Sequence, residues 1–143
     1  MVVVDDALLL AVLAERIPAS VPSLVDAAAN GEVFTTGSWY WRLSRAVSRP
    51  SPGVLSSALA GLPEDEQRRA RSALEALPEE IGLLSFRRLV PVMAALPGQL
   101  NLLTAEAVAA ASVLAASLVV STDSPLLNAA AQASGVAVII SAP

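Results

Sequence analysis

The sequence predicts an α/β domain built on a short, mainly parallel sheet of four or five strands. Three observations carry that expectation. Val2–Val4, Ile81–Ser85, Leu118–Ser121 and Val136–Ile140 are short apolar runs bounded by turn or cap residues, as buried strands require. Between them lie Ala- and Leu-rich stretches of helical length. Strands that alternate with helices pair in parallel, because each helix carries the chain back to the start of the next strand.

Taken in order, Val2–Val4 is a buried strand, and Asp5-Asp6 leads into a helix over about Ala7–Arg16 that Pro18 ends. Asp6 reads as the cap of that helix, with Asp5 left over at the strand end. Pro22 and Ser23 open a second helix, and Asn30-Gly31 closes it in the left-handed conformation these residues accept. Val33–Thr36 is either a short extended piece or the lead into a helix capped by Thr36 or Ser38 and running to about Ser48. Arg49–Gly53, RPSPG, is a loop by composition. Leu55–Ala60 is a short helix. Pro63 with Glu64, Asp65 and Glu66 begins another, placing negative charge at the positive end of the helix dipole. Arg68, Arg69 and Arg71 follow at spacings that allow pairing with those acids on a solvated face. After the Ile81–Ser85 strand a helix runs from Phe86 towards Pro97-Gly98, and Pro91 is expected in its early turns. Thr104 is expected to cap an apolar helix over Ala105–Ala116. Ser124 caps the last helix, Pro125 takes its first position, and Gly135 ends it before the final strand.

Composition narrows the chemistry. The 143 residues fit one domain over 1–143. Hydrophobic residues make up 55% and aromatics only 3%, so Ala, Leu and Val must fill the core, and the excess apolar surface points to self-association as a homo-oligomer, most simply a dimer. With His 0 and Cys 0 the chain has no imidazole general base, no thiol nucleophile and no usual zinc ligand set. The missing cysteines accord with a cytoplasmic protein. All nine basic residues are Arg and the net charge is −4, which argues against a broad basic surface for nucleic acid while leaving room for a local patch in the middle third. Ala107–Val120 is the longest uncharged apolar run and is too short to span a bilayer, so no membrane segment is expected. Asp5-Asp6 interrupts the N-terminal apolar stretch, unlike a signal peptide.

The acids are the candidate functional groups. From Leu89 onwards only Glu106 and Asp123 carry charge, and a lone carboxylate among aliphatic residues is held at a surface, a partner or a site. Asp5 and Asp123 both follow strands, so a parallel sheet puts them on the same edge, where ligands bind at a topological switch. Glu106, expected in the first turn of its helix, is the third candidate. Acids that converge without a basic neighbour need a cation, and oxygen ligands alone favour Mg²⁺ or Mn²⁺. Ser121, Thr122 and Ser124 are placed to hold waters on such an ion, which could serve phosphodiester hydrolysis. Each acid also has a structural role open to it, because Asp5-Asp6, Asp123-Ser124 and Glu106 all sit near helix starts.

The segments VVVDDALLL, LTAEAVAAASVL and LVVSTDSPLLNAAAQASGVAVI resemble those of the PIN-domain family, which includes toxin nucleases of bacterial toxin–antitoxin pairs. The resemblance implies a three-layer α/β/α sandwich, an Mg²⁺ or Mn²⁺ site and ribonuclease activity. It matches Asp5 to the family's first acid, Glu106 to its third, Asp123 to the acid of its Thr-x-Asp motif and Ser121 to the hydroxyl position. The second acid has no counterpart: FTTGSWYWRLSRAV offers Tyr40, Trp41 and Arg42 there. Two functions follow from the resemblance. One is a metal-dependent ribonuclease acting on RNA through Asp5, Glu106 and Asp123, with Asp6 beside them and with an antitoxin-like protein as partner. The other is a catalytically inactive PIN-like binding or dimerisation module in which Arg42 occupies the site. A phosphoacceptor domain, which also gathers acids at a strand end, is disfavoured by the absence of Lys.

Overall fold

The computed structural model describes residues 1–141. Its sheet has five strands, all parallel: β1 (Val2–Val4), β2 (Val33–Thr35), β3 (Ile81–Leu83), β4 (Ser117–Val120) and β5 (Val138–Ile140), in the spatial order β3-β2-β1-β4-β5. Of Val33–Thr36, ambiguous in the sequence, Val33–Thr35 is a strand, paired through Val2↔Val33 and Ile81↔Val33, and Thr36 caps the helix that follows.

The helices are α1 (Asp6–Leu13), α2 (Pro22–Ala29), α3 (Gly37–Ser48), α4 (Val54–Ala60), α5 (Glu64–Glu75), α6 (Phe86–Ala95), α7 (Leu102–Leu114) and α8 (Pro125–Ala133). Side chains alternate across a strand, and here the alternation divides the core in two. Val2, Val4 and Val119 face one side with Leu8, Leu9, Leu24, Leu43, Leu59 and Leu74 from α1 to α5. Val3, Leu118 and Val120 face the other with Leu89, Val108, Ala111 and Leu127 from α6, α7 and α8. The result is a three-layer α/β/α arrangement. Small Ala side chains on α7 let that helix lie close against the sheet: Ala107, Ala109 and Ala111 are fully buried.

Element limits differ from the sequence reading where caps were misjudged. Asn101, not Thr104, caps α7: its side chain accepts from Thr104 N at 2.8 Å, so the helix starts three residues before the expected Ala105. Glu106 consequently lies in the second turn. Gly31 adopts the left-handed conformation expected of it, with φ of +66°, and Gly135 ends α8 in the same way at +69°. Pro91 lies inside α6. The charged run on α5 pairs with another element: Arg69 meets Glu15 at 3.1 Å, and Arg16 meets Glu66, so α5 is tied to the end of α1. Among the described residues, no helix is long and apolar enough to cross a membrane.

Candidate functional site: the strand ends of β1 and β4

The strand order makes β1–β4 the switch point. Connections from β1 run towards β2 and β3, whereas the chain after β3 crosses back to place β4 on the other side of β1. In parallel sheets the crevice beyond the carboxyl ends of such strands is the usual ligand site. A cleft of about 160 Å³ opens there, lined by Asp5, Asp6, Trp39, Arg42, Thr104 and Leu127 with Ser121, Thr122 and Ser124. A larger cavity of about 630 Å³ lies at the opposite sheet edge, among Val12, Ile17, Val25, Val33 and Ile81. It is mainly aliphatic and holds none of the residues predicted to react, so the smaller cleft is the candidate site.

The cleft engages Asp5 first. β1 ends at Val4 and α1 begins at Asp6, so Asp5 alone makes the turn and becomes the helix cap, correcting the expectation that Asp6 would. Its Oδ1 accepts from Leu8 N at 3.0 Å. Its Oδ2 accepts from both Ser121 N and Ser121 Oγ at 2.6 Å, across to the end of β4. The carboxylate is buried and holds three donors, which is how a low-dielectric interior tolerates it.

Asp6 is the unusual group. Its Oδ1 accepts from Ala7 N at 2.9 Å, while Oδ2 is buried with no hydrogen-bond partner. Arg42 Nε lies 3.1 Å from that oxygen, near enough for an ion pair but without hydrogen-bond alignment. Burial holds the Asp6 carboxyl above its ordinary value of 3.8; Arg42 opposes the shift and Asp5 adds to it.

The other two predicted acids are elsewhere. Glu106 is 1% exposed, and its Oε2 and Oε1 accept from Gly37 N at 3.2 Å and Ser38 N at 2.9 Å. Those are the first two amides of α3, and Thr36 Oγ1 takes the third from Trp39 at 3.1 Å. A buried negative charge thus closes the positive end of a helix that starts nearly seventy residues earlier in the chain. Asp123 is exposed, accepts from Asn128 Nδ2 at 2.7 Å and does not line the cleft.

The structure therefore gathers Asp5, Asp6, Ser121, Thr122, Ser124 and Arg42, and leaves Glu106 and Asp123 outside. Among the described residues, no group of three or more acids is placed to share one metal ion. Mg²⁺ and Mn²⁺ take about six oxygens, including one or two carboxylates. Of the two carboxylates in the cleft, Asp5 has both oxygens hydrogen-bonded, whereas Asp6 Oδ2 is buried without a hydrogen bond and a guanidinium already faces it. These residues fit an internal ion pair better than a divalent cation. Gly37, Ser38 and Asn101 were not foreseen as partners, although a Gly-Ser pair at a helix start is the kind of sequence that admits an acid from outside.

Comparison of the chain with protein-family models, with curated proteins and with solved structures found no match.

Proposed function

We propose that this is a PIN-like domain that works by binding rather than by hydrolysis, its acidic centre being internally neutralised. The single observation behind the reading is Arg42, at the position where the resembling family carries its second acid. Its guanidinium stands 3.1 Å from Asp6 and supplies the positive charge that a cation would otherwise bring. Asp5 and Glu106 support the same reading, because each holds a helix N-terminus in place. The cleft then acts as a rigid joint between β1, β4 and α3.

A second reading, a ribonuclease of the PIN type using Mg²⁺ or Mn²⁺, is favoured by one specific feature: Asp6 Oδ2 is buried at the switch point beside Ser121, Thr122 and Ser124 without a hydrogen bond. There Asp5 and Asp6 would hold the ion, which supplies Lewis-acid chemistry for a phosphodiester when bound. Arg42 would have to turn outward, and its side chain is 48% exposed.

Calorimetric titration with Mn²⁺, run beside a cleavage assay on labelled RNA, separates the two. The binding reading expects no saturable heat and no cleavage from the wild type. Saturable Mn²⁺ binding that Asp6→Asn abolishes, together with Mn²⁺-dependent cleavage, would establish the nuclease instead.

A further inference from the structure

Just outside the cleft, α3 turns an unusual face to solvent. Of the two tryptophans, Trp39 is 5% exposed and packs in the core, whereas Trp41 is 62% exposed. Phe86 at the start of α6 and Leu102 at the start of α7 are 46% and 57% exposed. Together with Gly37, Ser38 and Leu103, these three line a depression of about 410 Å³. On the other side of Trp41 a second depression of about 440 Å³ is lined by Arg42, Arg45, Ala46, Arg49, Pro50 and Ser51. Trp41 and Arg42 belong to both, so the two form one surface with an apolar end and a cationic end.

The charge on this surface runs against that of the molecule. The chain carries −4 in total, yet the residues lining the two depressions include no acid and three arginines, Arg42, Arg45 and Arg49. Arg45 and Arg49 are exposed, and neither is in an ion pair among the described residues. Arg45 lies over the Trp41 ring, 5.9 Å from its centroid, a cation–π contact that brings the cationic and apolar ends of the face together. Arg42, Arg45 and Arg49 follow one another at intervals of three and four residues, so they share a helix face and span about 10 Å along it.

We propose that this face docks an acidic amphipathic helix of a partner protein, with an aliphatic side chain seated between Trp41, Phe86 and Leu102 and carboxylates at matching spacing on Arg45 and Arg49. Exposed Trp and Arg are the residue types on which interfaces concentrate their affinity. Arginine's planar fork suits carboxylates bidentately. Trp41 and Phe86 could also stack bases, but Leu102 and Leu103 make the depression aliphatic as well as aromatic and the chain carries a net charge of −4, which favours a short acidic protein segment over a polyanionic strand. The inference rests on the binding reading above, and the two are tested by different signals: manganese and RNA cleavage report on the cleft, peptide affinity on the outer face.

The test is fluorescence anisotropy on the full chain with a labelled synthetic helix carrying Glu on one face and Leu on the other. A control peptide has Gln for every Glu. Saturable binding is expected, weaker by roughly tenfold for the Gln peptide and by at least about tenfold for the Arg45→Glu, Arg49→Glu double variant. Trp41→Ala is expected to lose about tenfold. Circular dichroism confirms that each surface variant is folded. The proposal is overturned by any of several results: no saturable binding, equal affinity for the two peptides, or indifference to charge reversal. Tighter binding of an oligouridylate at the same ionic strength would give the face to nucleic acid. Self-association that Trp41→Ala abolishes, without peptide binding, would give it to a second copy of the chain.

Discussion

The ends of β1 and β4 carry the same sequence logic, an apolar strand followed by an acid and then a helix, yet the two acids have opposite fates. After β1 a single residue, Asp5, links strand to helix; after β4 four residues, Ser121–Ser124, do so. The short link forces Asp5 to be the cap and turns its carboxylate inward, where Leu8 and Ser121 hold it. The longer link lets Ser124 cap α8 by accepting from Leu127 N at 3.3 Å, and Asp123 is carried out to solvent. Proximity to a strand end therefore does not make an acid part of a site. The length of the turn decides which way it faces.

Glu106 extends the comparison, because it reaches a helix start from another element. Removing it should have the largest effect. Glu106→Ala takes the carboxylate from the Gly37 and Ser38 amides and opens a cavity at a fully buried position, at a cost of about 3 kcal/mol in chemical denaturation. Glu106→Gln keeps an acceptor but turns an NH₂ group on one of the amides, and should cost less than the alanine. A loss under about 1 kcal/mol for Glu106→Ala would mean that water can replace the carboxylate, and α3 would not depend on it.

Asp5→Asn comes next, at about 2 kcal/mol. The amide can still cap Leu8, but it then presents an N–H to Ser121 or gives up the cap. Equilibrium unfolding measures the loss, and hydrogen exchange at Leu8 and Ser121 locates it. Unchanged protection at both amides would show that β1 and β4 are not joined through Asp5.

This part of the molecule also shows how much the sequence disclosed. Four of the strands and the order of helices were legible, because hydrophobic runs, Pro and Gly mark element limits locally. β2 was not: Val33–Thr35 owes its strand to pairing with β1 and β3 on either side, a contact between distant segments. The sequence places Asp5 and Asp123 on one edge, converging if their strands are neighbours; β1 and β4 are neighbours, with Val4 paired to Val119, but Asp5 meets Ser121 while Asp123 is turned to solvent. Glu106 was misplaced because one cap, Asn101, moved its helix start. Its true partners, Gly37 and Ser38, could be recognised only once α3 and α7 were packed together. Arg42 was read as a candidate occupant from its position, and its partner, Asp6, follows from Asp5 having taken the cap.

Asp6 sharpens the contrast within the β1 turn itself, since its neighbour is fully paired and it is not. Its folded pKa is raised, so between 3.8 and the raised value the folded state holds more protons than the unfolded chain. Stability contributed through Asp6 therefore falls as pH rises through that window and is regained on acidification. Asp6→Asn should remove this slope and raise stability at neutral pH, by less than the Asp5 loss. Melting temperatures of wild type and variant across the acid range test it. A variant less stable than wild type at neutral pH would make the Arg42 pair a net stabilising contact that outweighs the burial of the carboxylate.

Asp123 provides the smallest effect and the most direct test of the turn-length argument. Its single observed bond, from Asn128, lies at the surface, where water replaces a lost partner at little cost. Asp123→Ala should change stability by no more than about 0.5 kcal/mol. Asp5→Asn and Asp123→Ala then differ by more than a kilocalorie although both remove an acid that follows a strand. A cost near that of Asp5 would mean that Asp123 anchors the Ser121–Ser124 turn and so positions the hydroxyls that line the cleft. If Asp123→Asn instead leaves stability unchanged but abolishes Mn²⁺ heat seen in the wild type, the turn must swing inward on binding, and its length would be a hinge rather than a reason for exclusion.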